Sequence, residues 1–318
     1  MADRPPPKAI PPDDSLFHPF VPDVAHRTTG EILAHPDYAR IRPLYIAKIN
    51  ANNAADKFPG GWPAAAYRYT AVCVIVKVYA GFEPDDRSTW PTLAKVKETA
   101  SAFGQSSHRQ LDDVVGRLVA TGHIILECPA ADRRLRFLRP TEKLLAWDRE
   151  QLCAYYDILQ LLYPDSAYDI ATRRDSVFHL AHRRCAPKIM TPIIRNFLQQ
   201  NHKFLPFLQM NHGANVMRNL ALAASLNPEN PIRETEFVGS MMKLGVSRSH
   251  IRNIITLANE SEMVVRSGGR QKLLDMTPLG FKIIDRFIGD TLSSHDLSFN
   301  LAKNWLEKNH PVKSEQHI

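Results

Sequence analysis

The chain repeats itself. Slid along its own length, Leu111, Val114, Val115, Leu118, Ile124 and Ile125 fall on Ile251, Ile254, Ile255, Ala258, Val264 and Val265, all displaced by 140 residues. One supersecondary unit written twice restricts the fold more than composition does, because both copies must bury the same apolar positions in the same way. The flanks agree, with small differences in length. Phe103-Gly104 precedes the first match as Leu244-Gly245 precedes the second. Thr141-Glu142-Lys143-Leu144-Leu145 follows the first as Thr277-Pro278-Leu279-Gly280-Phe281 follows the second.

Each copy reads as helix, turn, helix, strand, basic turn, strand and long helix. In the first, Ser88 or Thr92 starts a helix carrying Leu93, Val96 and Ala100, which Gly104 ends in a left-handed stop. Ser106 or Ser107 caps a second helix, whose residues 111, 114, 115 and 118 form one stripe at helical spacing. Gly122 stops it, residues 123–128 and 135–138 are strands, and Thr141 caps a long amphipathic helix ending before Pro164. In the second, a helix over 234–242 leads through Leu244-Gly245 to a helix capped by Ser247 that runs to about Asn259. Strands at 263–266 and 272–276 flank a Ser267-Gly268-Gly269 tip suited to a tight hairpin. Thr277 opens the terminal helix with Phe281, Ile284, Phe287 and Ile288. Further helices are expected at 40–53, from Pro63 to about Tyr79, at 169–182 and at 188–200.

The expected organisation is a flexible Pro-rich tail over 1–30 and a first domain with a leading helix over 31–165. Connecting helices over 166–211, a second domain over 212–309 and a tail over 310–318 complete it. With 318 residues, 44% hydrophobic and 23% charged, the chain has the composition of a soluble globular protein. Its longest apolar run, residues 71–76, stops at Lys77, far short of the roughly 20 residues that cross a bilayer. The N-terminus lacks the apolar core of a signal peptide, so a cytoplasmic location is expected.

The four cysteines, Cys73, Cys128, Cys153 and Cys185, lie far apart and suggest buried or half-buried thiols, neither a zinc site nor a disulfide framework. No phosphate loop, nucleophile elbow or zinc-protease motif is present, so neither an enzyme nor a cofactor is expected. His179 and His182 share a helix face, but without a nearby Cys or carboxylate pair they read as basic surface residues, not metal ligands. Tyr155, Tyr156, Phe281 and Phe287 read as packing aromatics.

The order of elements, with Arg139-Pro140-Thr141-Glu142-Lys143 and Met276-Thr277-Pro278-Leu279-Gly280 opening the long helices, resembles the MarR-like winged helix-turn-helix regulators. Leu144 departs from that pattern, standing where the motif carries Gly. The resemblance spans roughly residues 63–163 and 210–295. It implies a mainly α fold with small β wings and two tandem winged-helix domains. Family members dimerise through their terminal helices, so two copies in one chain look like a fused, pseudo-symmetric dimer, alone or paired as a homodimer. A pocket for a small-molecule effector is also implied by the resemblance.

In such a motif the second helix enters the major groove of double-stranded DNA. With the stripe turned inward, Arg109, Asp113 and Gly116 face outward in the first copy, flanked by Ser107, Gln110, Asp112 and Arg117. Ser249, Asn253 and Thr256 do so in the second, flanked by Ser247, Arg248, His250 and Arg252. Asn pairs with adenine and Arg with guanine, which makes Asn253 and Arg109 the leading base readers. Arg133, Arg134, Arg136 and Arg139 crowd the first wing, and Arg266, Arg270 and Lys272 the second, where cations meet phosphate. Only Asp132 interrupts the first cluster and no acid interrupts the second. Asp112 and Asp113 oppose DNA contact in the first copy, unless Asp113 pairs with Arg109 or Arg117 on the helix surface. A net charge of +7 suits a polyanionic partner. The function expected is a transcriptional regulator, a repressor on a pseudo-palindromic operator. A plasmid-type replication initiator and a protein-interaction scaffold are the alternatives.

Overall fold

A computed structural model describes residues 16–101, 104, 106–129, 132, 134–184, 187–269 and 271–309, with the backbone alone for 187–191. The chain is mainly helical, with two small antiparallel sheets among the described residues. Leading elements are α1 (Thr29–Ala34), α2 (Tyr38–Asn52) and α3 (Ala66–Ala80). Unit one continues with α4 (Leu93–Ser101), α5 (His108–Ala120), β1 (Ile124–Glu127), β2 (Phe137–Pro140) and α6 (Glu142–Leu162). Connecting helices follow: α7 (Asp169–Thr172), α8 (Ser176–Arg184), α9 (Pro187–Gln200) and α10 (Leu205–Gln209). Unit two comprises α11 (Gly213–Leu226), β3 (Ile232–Arg233), α12 (Glu234–Lys243), α13 (Arg248–Glu260), β4 (Val264–Ser267), β5 (Leu273–Met276) and α14 (Pro278–Asn309). No described helix is long and apolar enough to cross a membrane.

The repeat is visible atom by atom. After α5, His123 N donates to Leu118 O at 2.8 Å, and after α13 Met263 N donates to Ala258 O at 2.9 Å. Gly122 and Glu262, 140 residues apart, both adopt left-handed backbone, with φ of 69° and 58°. Thr141 Oγ1 donates to Gly122 O at 2.8 Å, as Thr277 Oγ1 donates to Glu262 O at 2.7 Å. Each threonine thereby ties the start of a long helix to the stop of the second helix, across the intervening hairpin. Hairpin registers also agree: Ile124 faces Pro140 and Val264 faces Met276. The second hairpin is four residues shorter, because Thr141 and Thr277 are 136 apart.

Several expectations shift. Strand β2 lies two residues later than expected, where Phe137 docks edge-on against Phe82 and Trp90 at 5.5 and 5.2 Å. The helix expected over 169–182 breaks at Arg174, whose φ is 62°; Asp175 then caps the next helix by accepting from Phe178 N. The segment expected as a free tail is built into the molecule from Leu16 onward. Leu16, Phe17 and Val21 pack with Ile193 and Leu297, and Asn196 Nδ2 donates to Leu16 O at 2.7 Å. Residues 1–15 and the tail over 310–318 lie outside the described residues.

Unit one has its own core, in which α3, α4, α5, β1 and β2 close on Leu144 and Trp147 of α6. A larger core joins unit two to α1, α2, α8 and the rest of α6. The two long helices meet there: Tyr155 stacks on His295 with centroids 3.9 Å apart, and Tyr156 Oη donates to His295 O.

His179 and His182 are not surface residues, being 2% and 5% exposed. His179 Nε2 bonds Asp148 Oδ2 at 2.6 Å, and Arg183 forks onto both oxygens of the same carboxylate. Burial would raise the Asp148 carboxyl, yet Arg183 and His179 hold it well below the usual range. The partner that keeps this face of α8 inside comes from α6, about thirty residues earlier. Among the cysteines, Cys153 is buried and Cys73 half-buried, Cys128 is exposed against expectation, and Cys185 lies outside the described residues.

Candidate nucleic-acid interface

Helices α5 and α13 each divide into a buried and an exposed face. Leu111, Val114, Val115 and Leu118 are at most 6% exposed, and Ile251, Ile254, Ile255 and Ala258 are fully buried. The opposite faces carry the expected polar set: Ser107, Arg109, Gln110, Asp113 and Arg117 on α5 are exposed. So are Ser247, Arg248, Ser249, Arg252 and Asn253 on α13, while His250 is half-buried.

Exposure is not availability. On α5, Ser107 and Gln110 close a capping box, Gln110 Oε1 accepting from Ser107 N at 2.9 Å and Ser107 Oγ accepting from Gln110 N. Arg117 Nε donates to Gly60 O at 2.7 Å. Asp112 pairs with Lys97 of α4 at 2.6 Å. Asp113 makes no ion pair with Arg109 or Arg117 among the described residues, since Arg117 is drawn to the Gly60 carbonyl. On α13, Ser247 Oγ caps the helix and His250 Nε2 bonds Asn211 O at 2.6 Å. Arg252 lies 3.9 Å from Glu234. Arg109, Arg248 and Asn253 have no side-chain partner among the described residues.

The basic hairpins are partly neutralised. Arg139 pairs across the strands with Glu127 at 3.6 Å, an acid that the count of the first cluster overlooks. Arg136 Nη1 donates to Leu135 O, and Arg134 is exposed on a turn in which Asp132 accepts from its backbone N–H. In unit two, Arg266 pairs with Glu234 Oε2 at 2.8 Å. Glu234 is 3% exposed, so Arg266 serves as counter-charge to a buried acid and is not a free cation. Glu234 opens α12, over thirty residues before Arg266, and only the fold of unit two brings them together. Lys272 is exposed and without a side-chain partner among the described residues. Arg133 and Arg270 lie outside the described residues.

Sequence reasoning missed two features of the site. One is the strand β3, which pairs with β5 in unit two; its counterpart in unit one is a single bridge, Thr92 to Phe137. The other is a backbone hub behind the two second helices. Arg117 is held by the loop before α3, His250 by the loop before α11, and His212 N joins them by donating to Ala64 O at 3.2 Å. Among the described residues no cluster of three or more His, Cys, Asp or Glu is placed to hold a metal. The chain matches no family model, no curated protein and no solved structure.

Proposed function

We propose that the chain is a sequence-specific, double-stranded DNA-binding regulator without catalytic activity, built as two winged-helix modules in a single-chain pseudo-dimer. One observation carries this reading. α5 and α13 bury the same four positions and turn a polar face outward beside an antiparallel hairpin. Such a helix fits the major groove, where outward side chains reach base edges. Unit two is the stronger reader: Arg248 and Asn253 offer unspent guanidinium and amide groups, and Lys272 a cation for phosphate.

The test begins by selecting bound sequences from a random duplex pool. On the selected site, Lys272→Ala is expected to weaken binding on every sequence alike and reduce the salt slope by about one. Asn253→Ala is expected to cost about 1–3 kcal/mol and to relax preference at a single position. Binding that selects no sequence, ignores salt and tolerates both substitutions overturns the reading.

A second reading belongs to unit one alone. Leu126 on its hairpin is 48% exposed where unit two carries Arg266, and the outward face of α5 carries the acidic Asp113, which favours a protein surface over phosphate as the partner there. On that reading Arg109→Ala leaves DNA affinity within about twofold, while Arg248→Ala does not.

A further inference from the structure

A cavity of about 320 Å³ lies where the two units meet the connecting helices. Its walls include Lys77 of α3, Arg183 and His182 of α8, and Arg218 of α11, and no described Asp or Glu lines it. Arg183 is balanced by Asp148. Arg218, 6% exposed, is not: among the described residues it donates only to the neutral amides of Asn50 and Asn215. Lys77 has no side-chain partner among the described residues, and burial, with Arg183 nearby, lowers its ammonium to about 8. Both ring nitrogens of His182 lack a hydrogen-bond partner among the described residues, in a side chain 5% exposed. Interior charge without counter-charge is costly, and buried polar atoms are nearly always satisfied. Here two cations and one imidazole remain unanswered around one empty volume.

The rest of the wall is mostly apolar, with Asn53, Asn215, Thr291 and His295 among its polar members. Phe17, Tyr45, Tyr155, Phe197, Phe287 and Leu297 dominate it. An inorganic anion would leave that surface unused, whereas a mostly apolar wall with a few convergent polar groups suits a small organic molecule. We propose that this cavity binds an organic carboxylate with an apolar body, the carboxylate taken by the side lined with Lys77, Arg218 and His182. The volume admits a body of about two fused rings or a chain of about ten carbons. The site is not a property of the repeat, because α8 and α9, which supply His182, Arg183 and Phe197, have no counterpart in either unit.

Its position gives it a lever. Ala64, Ala65 and Met210 on the wall belong to the loops that hold Arg117 and His250 of the two second helices. Occupancy therefore bears on their spacing; this last step rests on the DNA-binding reading, while the binding site does not.

Calorimetry on the full chain without DNA separates the two. The probes are 2-naphthoate and decanoate, each against its neutral analogue, 2-naphthamide and decanol. At least one carboxylate is expected to bind ten-fold or more tightly than its neutral analogue. Lys77→Met and Arg218→Gln are each expected to erase that preference; two positions are used because Arg218 also joins Asn50 to Asn215. Equal binding of charged and neutral probes overturns the site, as does no binding of either carboxylate at millimolar concentration. A preference that survives both substitutions in folded protein overturns it too. With DNA present, the bound carboxylate is expected to shift affinity several-fold. Unchanged affinity at saturating ligand overturns the coupling, and absence of any DNA binding overturns the regulator reading but leaves the calorimetry standing.

Discussion

Charge inside this molecule is compensated unevenly, and buried Lys77 shows where. Lys77 is surrounded by Cys73 on its own helix, Asp148 on α6, His182 and Arg183 on α8, and His295 on α14. Its ammonium is lowered from 10.5 to about 8 by burial and by Arg183, so between those values the unfolded chain holds a proton that the folded chain has lost. Stability contributed by this group therefore rises as pH climbs from about 8 toward 10.5. Urea unfolding at pH 7.5 and pH 10 is expected to show wild type gaining on Lys77→Met over that interval; parallel curves would contradict it. The acid limb has the same sign and another origin. Burial, reinforced by Lys143, lowers His123 from 6.5 to about 4, and burial lowers His295 to about 3. Protons taken up by the unfolded chain below pH 6.5 should drain stability as pH falls toward 4. His123→Gln should flatten part of that loss.

The two units diverge where the long helices begin. A Cβ at Gly280 would stand 2.2 Å from Met263 O and 2.8 Å from Met276 Sδ. That carbonyl cannot retreat, because it accepts from Thr277 N at 3.0 Å. Gly280→Ala is expected to destabilise by about 1–3 kcal/mol, read as a fall in Tm. In unit one the equivalent residue is Leu144, fully buried in the core with Trp147. The helix starts also differ: Thr277 Oγ1 accepts from Gly280 N at 2.9 Å, while Thr141 makes no such cap. The departure of Leu144 from the motif was visible in the sequence, but its consequence, a helix that enters without the close glycine contact, was not. Element boundaries set by caps and glycines were legible, as Ser107, Ser247, Gly104 and Gly122 show. The break at Arg174 was not, because nothing local marks a left-handed arginine.

At the scale of the molecule, residues outside the repeat decide how the units sit together. Phe17, 1% exposed, belongs to the segment closing one side of the cavity. Phe17→Ala is expected to cost about 3–5 kcal/mol, measured by denaturant unfolding, although the side chain lies far from either second helix in sequence. A loss below about 0.5 kcal/mol would mean that the segment is not held in solution. By itself the sequence determined the repeated unit, the inward stripe of α5 and α13 and their caps. Those are local quantities: helical period, capping chemistry and left-handed stops act over a few residues. Only the tertiary structure decided which cations are free. Glu234 claims Arg266, Glu127 claims Arg139 and Asp148 claims Arg183, all from elsewhere in the chain. Asp112 and Asp113 already marked the first face as the more acidic of the two. Packing spent the charges of one differently from the other and left an unanswered cationic cavity between them, because Coulomb pairing follows distance in space and not position along the chain.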